Sequence, residues 1–379
     1  MLKIAIITSY APSLVNFRAP LILALRDRGV QLLALAPNFD DATRTAVRAL
    51  GATPVDCSMS RAGMNPLRDL WDTWQLTRLL RRLRPDITLG YFIKPVIFGS
   101  LAAWCAGVPR RVVMIEGLGF VFTPPTGTLS LGRLFLKRLV LWLYRLALSR
   151  VQRVVFLNPD DQAELVAAGL LSADKGFLLG GIGVDLAKWP TAPSVDSAVS
   201  FLLVARLLRE KGIEQYAQAA RRVKVLYPQS RFVLLGGLDD NPGSITRQEV
   251  QAWVDEGVLE WHGHVPVKPW LAQASVFVLP SYREGVPVST QEAMAMGRPV
   301  ITTDVPGCRQ TVIDGDNGFL VPVRNVDALV EKMLVFIKHP ELIGPMGQES
   351  RRLAEECFDV NKVTQRLISV MLEDTKSAR

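Results

Sequence analysis

Short apolar runs alternate with longer helical stretches along this chain, and the alternation is played through twice. KIAIITS (3–9), QLLALAP (31–37), ITLGYF (87–92) and RVVMIEG (111–117) read as strands. FRAPLILALRDRG (17–29) and NPLRDLWDTWQLTRLLRRLRP (65–85) read as helices, the second opened by Asn65-Pro66 and closed by Pro85, because proline fits a first helical turn and few later ones. The pattern restarts with SAVSFLLVARL (197–207) and continues through RFVLLGG (231–237), LEWHGHV (259–265), ASVFVLP (274–280) and RPVITTD (298–304). Such alternation specifies a doubly wound parallel sheet. Two such sheets suit 379 residues, too many for one ordinary core. The expected class is α/β with two Rossmann-like domains, 1–180 and 181–356, joined within the glycine-rich LLGGIGVD (178–185). Neither half sets GxGxxG between a strand and a helix, which argues against a nicotinamide dehydrogenase.

Composition narrows the function. The chain is 49% hydrophobic and 21% charged, as expected of a globular protein with large cores. Cys57, Cys105, Cys308 and Cys357 are widely spaced and form no CxxC pair, so they read as reduced thiols in a cytosolic protein. Three histidines and scattered carboxylates give no metal-ligand spacing. No opening leader is read, and no apolar run is long enough to span a bilayer. The net charge of +8 is uneven: residues 1–180 hold 22 Lys/Arg against 12 Asp/Glu, and the remainder 22 against 24. A basic half faces something anionic. No nucleic-acid motif is present and no basic–aromatic interleaving suggests base stacking, so the expected partner is an anionic membrane surface. TLSLGRLFLKRLVLWLYRLALSR (128–150) has five basic residues and no acidic one. It suits a helix lying in the bilayer interface, with Trp142 and Tyr144 at headgroup depth.

The chemistry concentrates in the second half. Glu284 follows the run ASVFVLP, and Glu292 lies eight residues on, in a helix expected over 289–296 and ended by Gly297 and Pro299. Ligands of open α/β sheets bind at that strand edge, where helix N-termini favour phosphate. VARLLREKG offers Arg206 and Lys211 at a helix start, both expected to be exposed, an arrangement that suits a diphosphate. HGHV (262–265), including His264 and Val265, presents backbone groups to a base. The GGIGVD stretch, including Gly183, lets a backbone approach phosphate. Gly285, Val286, Pro287 and Val288 lead into the second glutamate's helix. Carboxylates for hydroxyls, cations and a helix dipole together describe a nucleotide-sugar site.

Arg206, Lys211, HGHV and Glu284 through Glu292, in that order, resemble family 4 of the retaining glycosyltransferases, which have the GT-B fold. The resemblance implies that Arg206 and Lys211 hold the donor diphosphate, Glu284 touches the transferred sugar and Glu292 the ribose hydroxyls. SLVNFR (13–18), YFIKPVIFGSLAA (91–103), EGLGFVF (116–122) and LYRLAL (143–148) resemble bacterial enzymes extending undecaprenyl-diphosphate-linked sugars, often with N-acetylhexosamine from a UDP-sugar. Asn16, Arg18, Lys94 and Gly117 are the implied acceptor-side residues. Many members carry a Gly-Gly pair where this chain has YAPSLVNFR, and a histidine where it has Glu116 or Gly117. Glu116 therefore joins Glu284, Arg206 and Lys211 as a catalytic candidate.

The DGD of residues 314–316 matches a metal-binding DxD motif, but IDGDNGF reads as turn chemistry. No metal cofactor is expected, since cations and a helix dipole can take the leaving diphosphate's charge. The resemblance also implies that 357–379 crosses back to the first domain. The expectation is thus a peripheral enzyme on the cytoplasmic membrane's inner face, extending a lipid-diphosphate saccharide in polysaccharide assembly. Its site lies in the interdomain cleft, and same-face attack retains configuration. Rival readings are a hexosyltransferase using UDP- or GDP-hexose, a nucleotide-sugar epimerase, and a non-catalytic nucleotide-sugar-binding protein.

Overall fold

A computed structural model describes residues 1–59, 65–119, 122, 131–193, 198–239, 241 and 243–373, with the side chains of 131–137 excepted. The chain divides into two compact units, Met1–Ile182 with Asn361–Arg379, and Gly183–Val360. The junction falls inside the glycine-rich stretch. The unit-one tail takes in helix Val360–Leu372 from its second residue on, tied to that unit by Arg366, which donates to the Leu178 and Leu179 carbonyls.

The first unit is a seven-stranded sheet: β1 Lys3–Ile7, β2 Gln31–Ala36, β3 Ala52–Asp56, β4 Ile87–Tyr91, β5 Arg110–Ile115, β6 Arg153–Phe156 and β7 Gly176–Leu178. All pairs are parallel, in the order β3-β2-β1-β4-β5-β6-β7. The second is a parallel sheet of β8 Ser200–Val204, β9 Arg231–Leu235, β10 Glu260–Trp261, β11 Val276–Leu279, β12 Val300–Thr303 and β13 Gly318–Val321. Their order is β10-β9-β8-β11-β12-β13. The interior strands are buried along nearly their whole length, with Gln31 and Arg231 exposed where β2 and β9 begin, as a sheet covered by helices on both faces demands. The order reverses between β1 and β4, and between β8 and β11. Each reversal opens a crevice at the carboxyl ends of its strands.

The expected doubly wound architecture is present, with two local corrections. The run 259–265 is a strand only at Glu260–Trp261; the glycine of HGHV stands at φ +67° and turns the chain away, leaving His264 and Val265 on a loop. The second correction concerns the basic helix, Leu131–Leu148. Residues 128–130 and the side chains of Arg133, Leu134 and Lys137 lie outside the described residues. Beyond them the helix has a committed inner face: Val140, Tyr144, Ala147 and Leu148 are buried with Phe156 and Leu165. Tyr144 packs edge-on against Phe122, with ring centroids 6.4 Å apart. It belongs to the core and not to a headgroup layer. Trp142 and Arg145 are exposed. No described helix is long and apolar enough to cross a membrane.

Candidate active site

In the second unit the candidates gather at the carboxyl edge of the sheet, on the loops after β8 to β11. The β8 and β11 loops are pinned together by backbone. Gly212 has φ +71°, and a Cβ there would stand 2.1 Å from the Pro280 carbonyl oxygen. The Tyr282 N–H donates to the Glu210 carbonyl at 2.8 Å. Gly307, at φ +82°, lies so close to the Glu284 carbonyl that a Cβ would approach it to 2.2 Å. These approaches require glycine, and they fix the backbone carrying Lys211 and Glu284.

Those two side chains meet. Lys211 Nζ donates to Glu284 Oε1 at 2.6 Å, and Ser281 Oγ donates to the same oxygen at 2.7 Å. The side chains are 15% and 12% exposed, so Lys211 is not the open cation expected from sequence. In a half-dry crevice each charge needs the other until a ligand arrives. Beside them, burial first and the Glu284 charge second push the Cys308 thiol up to about 12, which leaves it protonated and inert. Arg206 is open, its side chain more than half exposed, and donates to Asp239 at 2.9 Å.

Glu292 lies on helix Val288–Ala295. Burial pushes its carboxyl up to about 7, and among the described residues no side chain bonds to it. A largely buried carboxyl poised near neutrality suits hydroxyl groups of a ligand. The same helix has no side-chain cap at Pro287. Thr290, in its first turn, buries a hydroxyl that has no partner among the described residues. First-turn N–H groups without a cap favour an anion. Val286 and Pro287 are buried and Gly285 and Val288 partly open.

Gly183 has another explanation than phosphate. Its N–H donates to Gln291 Oε1 at 3.1 Å, and at φ +78° a Cβ would stand 2.8 Å from Val360 Cα. Gln291, wholly buried, also donates to the Val286 carbonyl at 3.1 Å. It ties the glycine loop to the loop before the Glu292 helix. His264 is exposed beside a groove of about 410 Å³ lined by Gly237, Leu238, Trp261 and the HGH loop. The DGD residues make a turn: Asp314 accepts the Leu320 N–H at 2.8 Å and Gly315 has φ +86°. Sequence reasoning missed Ser281, Asp239 and Gln291. Ser281 carried a signal, being the first polar residue after β11.

At the first unit's switch point the two acceptor-side cations are inside. Arg18 is buried, stacks over the Tyr91 ring at 4.5 Å and donates to Glu116 Oε1. Tyr91 in turn bonds Ser13 at 2.8 Å. Lys94 is buried and donates to Asp69 at 2.7 Å. Glu116 keeps an accessible edge, with its side chain 18% exposed. Gly117, at φ +133°, turns the chain out of β5. Asn16 is exposed. Arg18 therefore holds Glu116 and does not reach solvent.

Two family models match the chain: "Glycosyl transferase 4-like domain" over residues 17–177 and "Glycosyl transferases group 1" over 198–339. A Campylobacter jejuni protein named N,N'-diacetylbacillosaminyl-diphospho-undecaprenol alpha-1,3-N-acetylgalactosaminyltransferase is 27% identical, over 97% of this chain and 98% of its own. An Escherichia coli UDP-Gal:alpha-D-GlcNAc-diphosphoundecaprenol alpha-1,3-galactosyltransferase is 25% identical over 81% and 80%. Among solved structures, Anabaena HepE in complex with UDP and glucose superposes at a TM-score of 0.77, with 17% identity over 98% of this chain and 100% of that one. Sucrose-phosphate synthase from Thermosynechococcus elongatus gives 0.79, at 17% identity over the whole of both chains. The two family models fall on the two sheets, one each, and the superpositions share the fold. The chain is a glycosyltransferase of GT-B fold, with a glycosyl transferase 4-like domain over residues 17–177 and a glycosyl transferases group 1 domain over residues 198–339.

Proposed function

We propose that this glycosyltransferase moves N-acetylhexosamine from a UDP-sugar to an undecaprenyl-diphosphate-linked saccharide, with retention, at the cytosolic face of a membrane. The observation that carries the reading is the convergence at one sheet edge of the Lys211–Glu284 pair, the near-neutral Glu292 and an uncapped helix N-terminus. On this reading the diphosphate takes Lys211 from Glu284, with Arg206 as second cation and the helix dipole behind it. Glu284, released, accepts from a hydroxyl of the transferred sugar. Glu292 accepts from the ribose, and the His264–Val265 backbone meets the base.

As the bond from the anomeric carbon to the diphosphate oxygen breaks, charge grows on that oxygen, which the cations stabilise. The acceptor hydroxyl bonds to the same face of that carbon, and its proton passes to the departing diphosphate. No metal is needed for this charge balance. Glu116, held by Arg18, orients the acceptor. The names of the relatives from Campylobacter and Escherichia support a lipid-diphosphate acceptor. The exposed Trp142 and Arg145 support contact of the basic helix with the membrane.

The Escherichia relative, a galactosyltransferase by name, favours a second reading in which the donor is a hexose. A donor screen decides. Nucleotide release from UDP-N-acetylgalactosamine, UDP-N-acetylglucosamine, UDP-galactose, UDP-glucose and GDP-mannose is followed with and without a synthetic lipid-diphosphate sugar. Acceptor-dependent release from an N-acetylhexosamine donor is expected. Release from hexose donors alone supports the second reading, and conversion without acceptor would make the protein an epimerase.

A further inference from the structure

Helix Pro66–Leu83 is built inside out over its first half. Asp69 and Asp72 point inward at 7% and 3% exposure. Leu67, Leu70, Trp71 and Trp74 point outward, and the two indoles are 53% and 47% exposed. Their spacing of three and four residues places them on one stripe. Such a pattern is costly on both counts, since carboxylates leave water and large apolar side chains enter it. The inner half of this cost is largely offset: Asp69 accepts from Lys94 at 2.7 Å, and Asp72 accepts from Ser58 and Arg68 on one oxygen, its other oxygen having no partner among the described residues. Among the described residues the outer half is offset only in part. The indoles stack on each other at 4.9 Å between centroids and remain open to solvent.

We infer that this stripe is a membrane-docking surface, with an anionic lipid bilayer as its occupant. Charge selects that occupant. The helix carries Arg68, Arg78, Arg81 and Arg82, and its two carboxylates are the buried ones, so every exposed charge on it is positive. Arg78 lies over the Trp74 ring at 4.7 Å. Arg78 and Arg82 also border a groove of about 390 Å³ between this helix and Ser58. Indoles with flanking arginines suit the headgroup layer, where an apolar body and a cation find partners at one depth. A protein partner rich in acidic residues would match the arginines but not the bare leucines and tryptophans.

Position fits as well. The helix leaves β3 and leads back to β4, so its first half stands at the carboxyl edge of the sheet, the edge that carries Glu116. The Asp69–Lys94 bond anchors it there, Lys94 lying three residues beyond β4. A docked stripe would bring a lipid-held acceptor to that edge. The inference rests on the proposed function only in taking the partner to be a membrane, and its test needs no turnover.

The full chain is sedimented with phosphatidylcholine vesicles with and without phosphatidylglycerol, in the absence of any sugar nucleotide. Trp71→Ser with Trp74→Ser is expected to weaken partition about tenfold or more on phosphatidylglycerol vesicles. Arg78→Gln with Arg82→Gln is expected to remove most of the gain that phosphatidylglycerol gives, and salt is expected to do the same to wild type. Trp71→Phe with Trp74→Phe should keep the binding but lose most of the fluorescence quenching by brominated lipid, which covers the case of a serine variant that folds poorly. Unchanged partition of a folded serine variant overturns the inference. So does wild-type protein that ignores vesicles but forms a dimer dissolved by the serine changes. Failed vesicle binding with intact sugar transfer would overturn the docking surface alone, and the reverse result would overturn the proposed function alone.

Discussion

Glu292 offers a test in which stability and ligand binding must move in opposite directions with pH. Its carboxyl titrates near 7 in the folded protein, raised from 4.5 by burial. The folded state thus holds a proton that the unfolded state has released, across the window from 4.5 to 7. Stability from this group is full below 4.5 and is lost as pH rises through 7. At about 1.4 kcal/mol per unit the loss approaches about 3 kcal/mol. In the proposed binding mode a ribose hydroxyl donates to the carboxylate, so nucleotide affinity should gain over the same rise, by at most tenfold per unit. Glu292→Gln removes the titration and keeps the shape. Urea unfolding from about pH 5 to about pH 8 should show wild type losing about 2–3 kcal/mol more than Glu292→Gln. Calorimetry with UDP should show the affinity ratio of wild type to variant rising with pH, a ratio in which the ligand's own phosphate titration cancels. Parallel unfolding curves for the two proteins would refute the reasoning, because no pKa shift would then be linked to folding.

The remaining predictions concern the charged pairs. Arg206→Ala should lower kcat/KM by about 2–4 kcal/mol of transition-state stabilisation and leave unfolding within about 0.5 kcal/mol, as its ion pair with Asp239 is exposed; near-normal turnover would remove it from the site. Lys211→Met should lose comparable activity and also destabilise by roughly 1–3 kcal/mol, because Glu284 is left without its cation, and adding Glu284→Gln should return part of that stability but no activity. Arg18→Met should cost about 3–5 kcal/mol in unfolding by orphaning Glu116, while Arg18→Lys should recover stability and show its remaining defect in the KM for acceptor, not in UDP affinity. Chelation by EDTA should leave the rate unchanged, and loss of activity restored by a divalent ion would contradict the charge balance drawn above.

Apart from β6, whose four-residue RVVF was passed over, the interior strands were legible because burial on both faces writes an uninterrupted apolar run into the sequence. The edge strands β3, β7 and β13 were not, since a half-covered strand tolerates the Pro54 of ATPVD and the glycines that open GFL and GFLV. The donor side was legible as residue types in order, Arg206 to Glu292. Its pairing was not. Glu284 and Lys211 are 73 positions apart, and the contact depends on how closely Gly212 and Gly307 let three loops approach. Arg18 and Lys94 were visible as cations but not as buried ones, because their partners Glu116 and Asp69 lie on other elements. Tyr144 was misplaced for the converse reason. A basic apolar helix looks the same in sequence whichever face it buries, and here Phe122 and the β6 side decide. The stacked tryptophans of helix Pro66–Leu83 carry the same ambiguity, resolved only by the inward Asp69 and Asp72.

The most direct test is the structure of the product. An undecaprenyl-diphosphate-linked sugar is incubated with a UDP-linked α-N-acetylhexosamine, and the extended lipid is analysed by mass and by proton NMR at its new anomeric centre. The account predicts an acceptor longer by one N-acetylhexosamine, joined as the α anomer, with one UDP released per linkage and Lys211→Ala or Glu284→Gln forming little of it. A β-linked product, or free sugar and UDP formed equally well without the lipid acceptor, would contradict it.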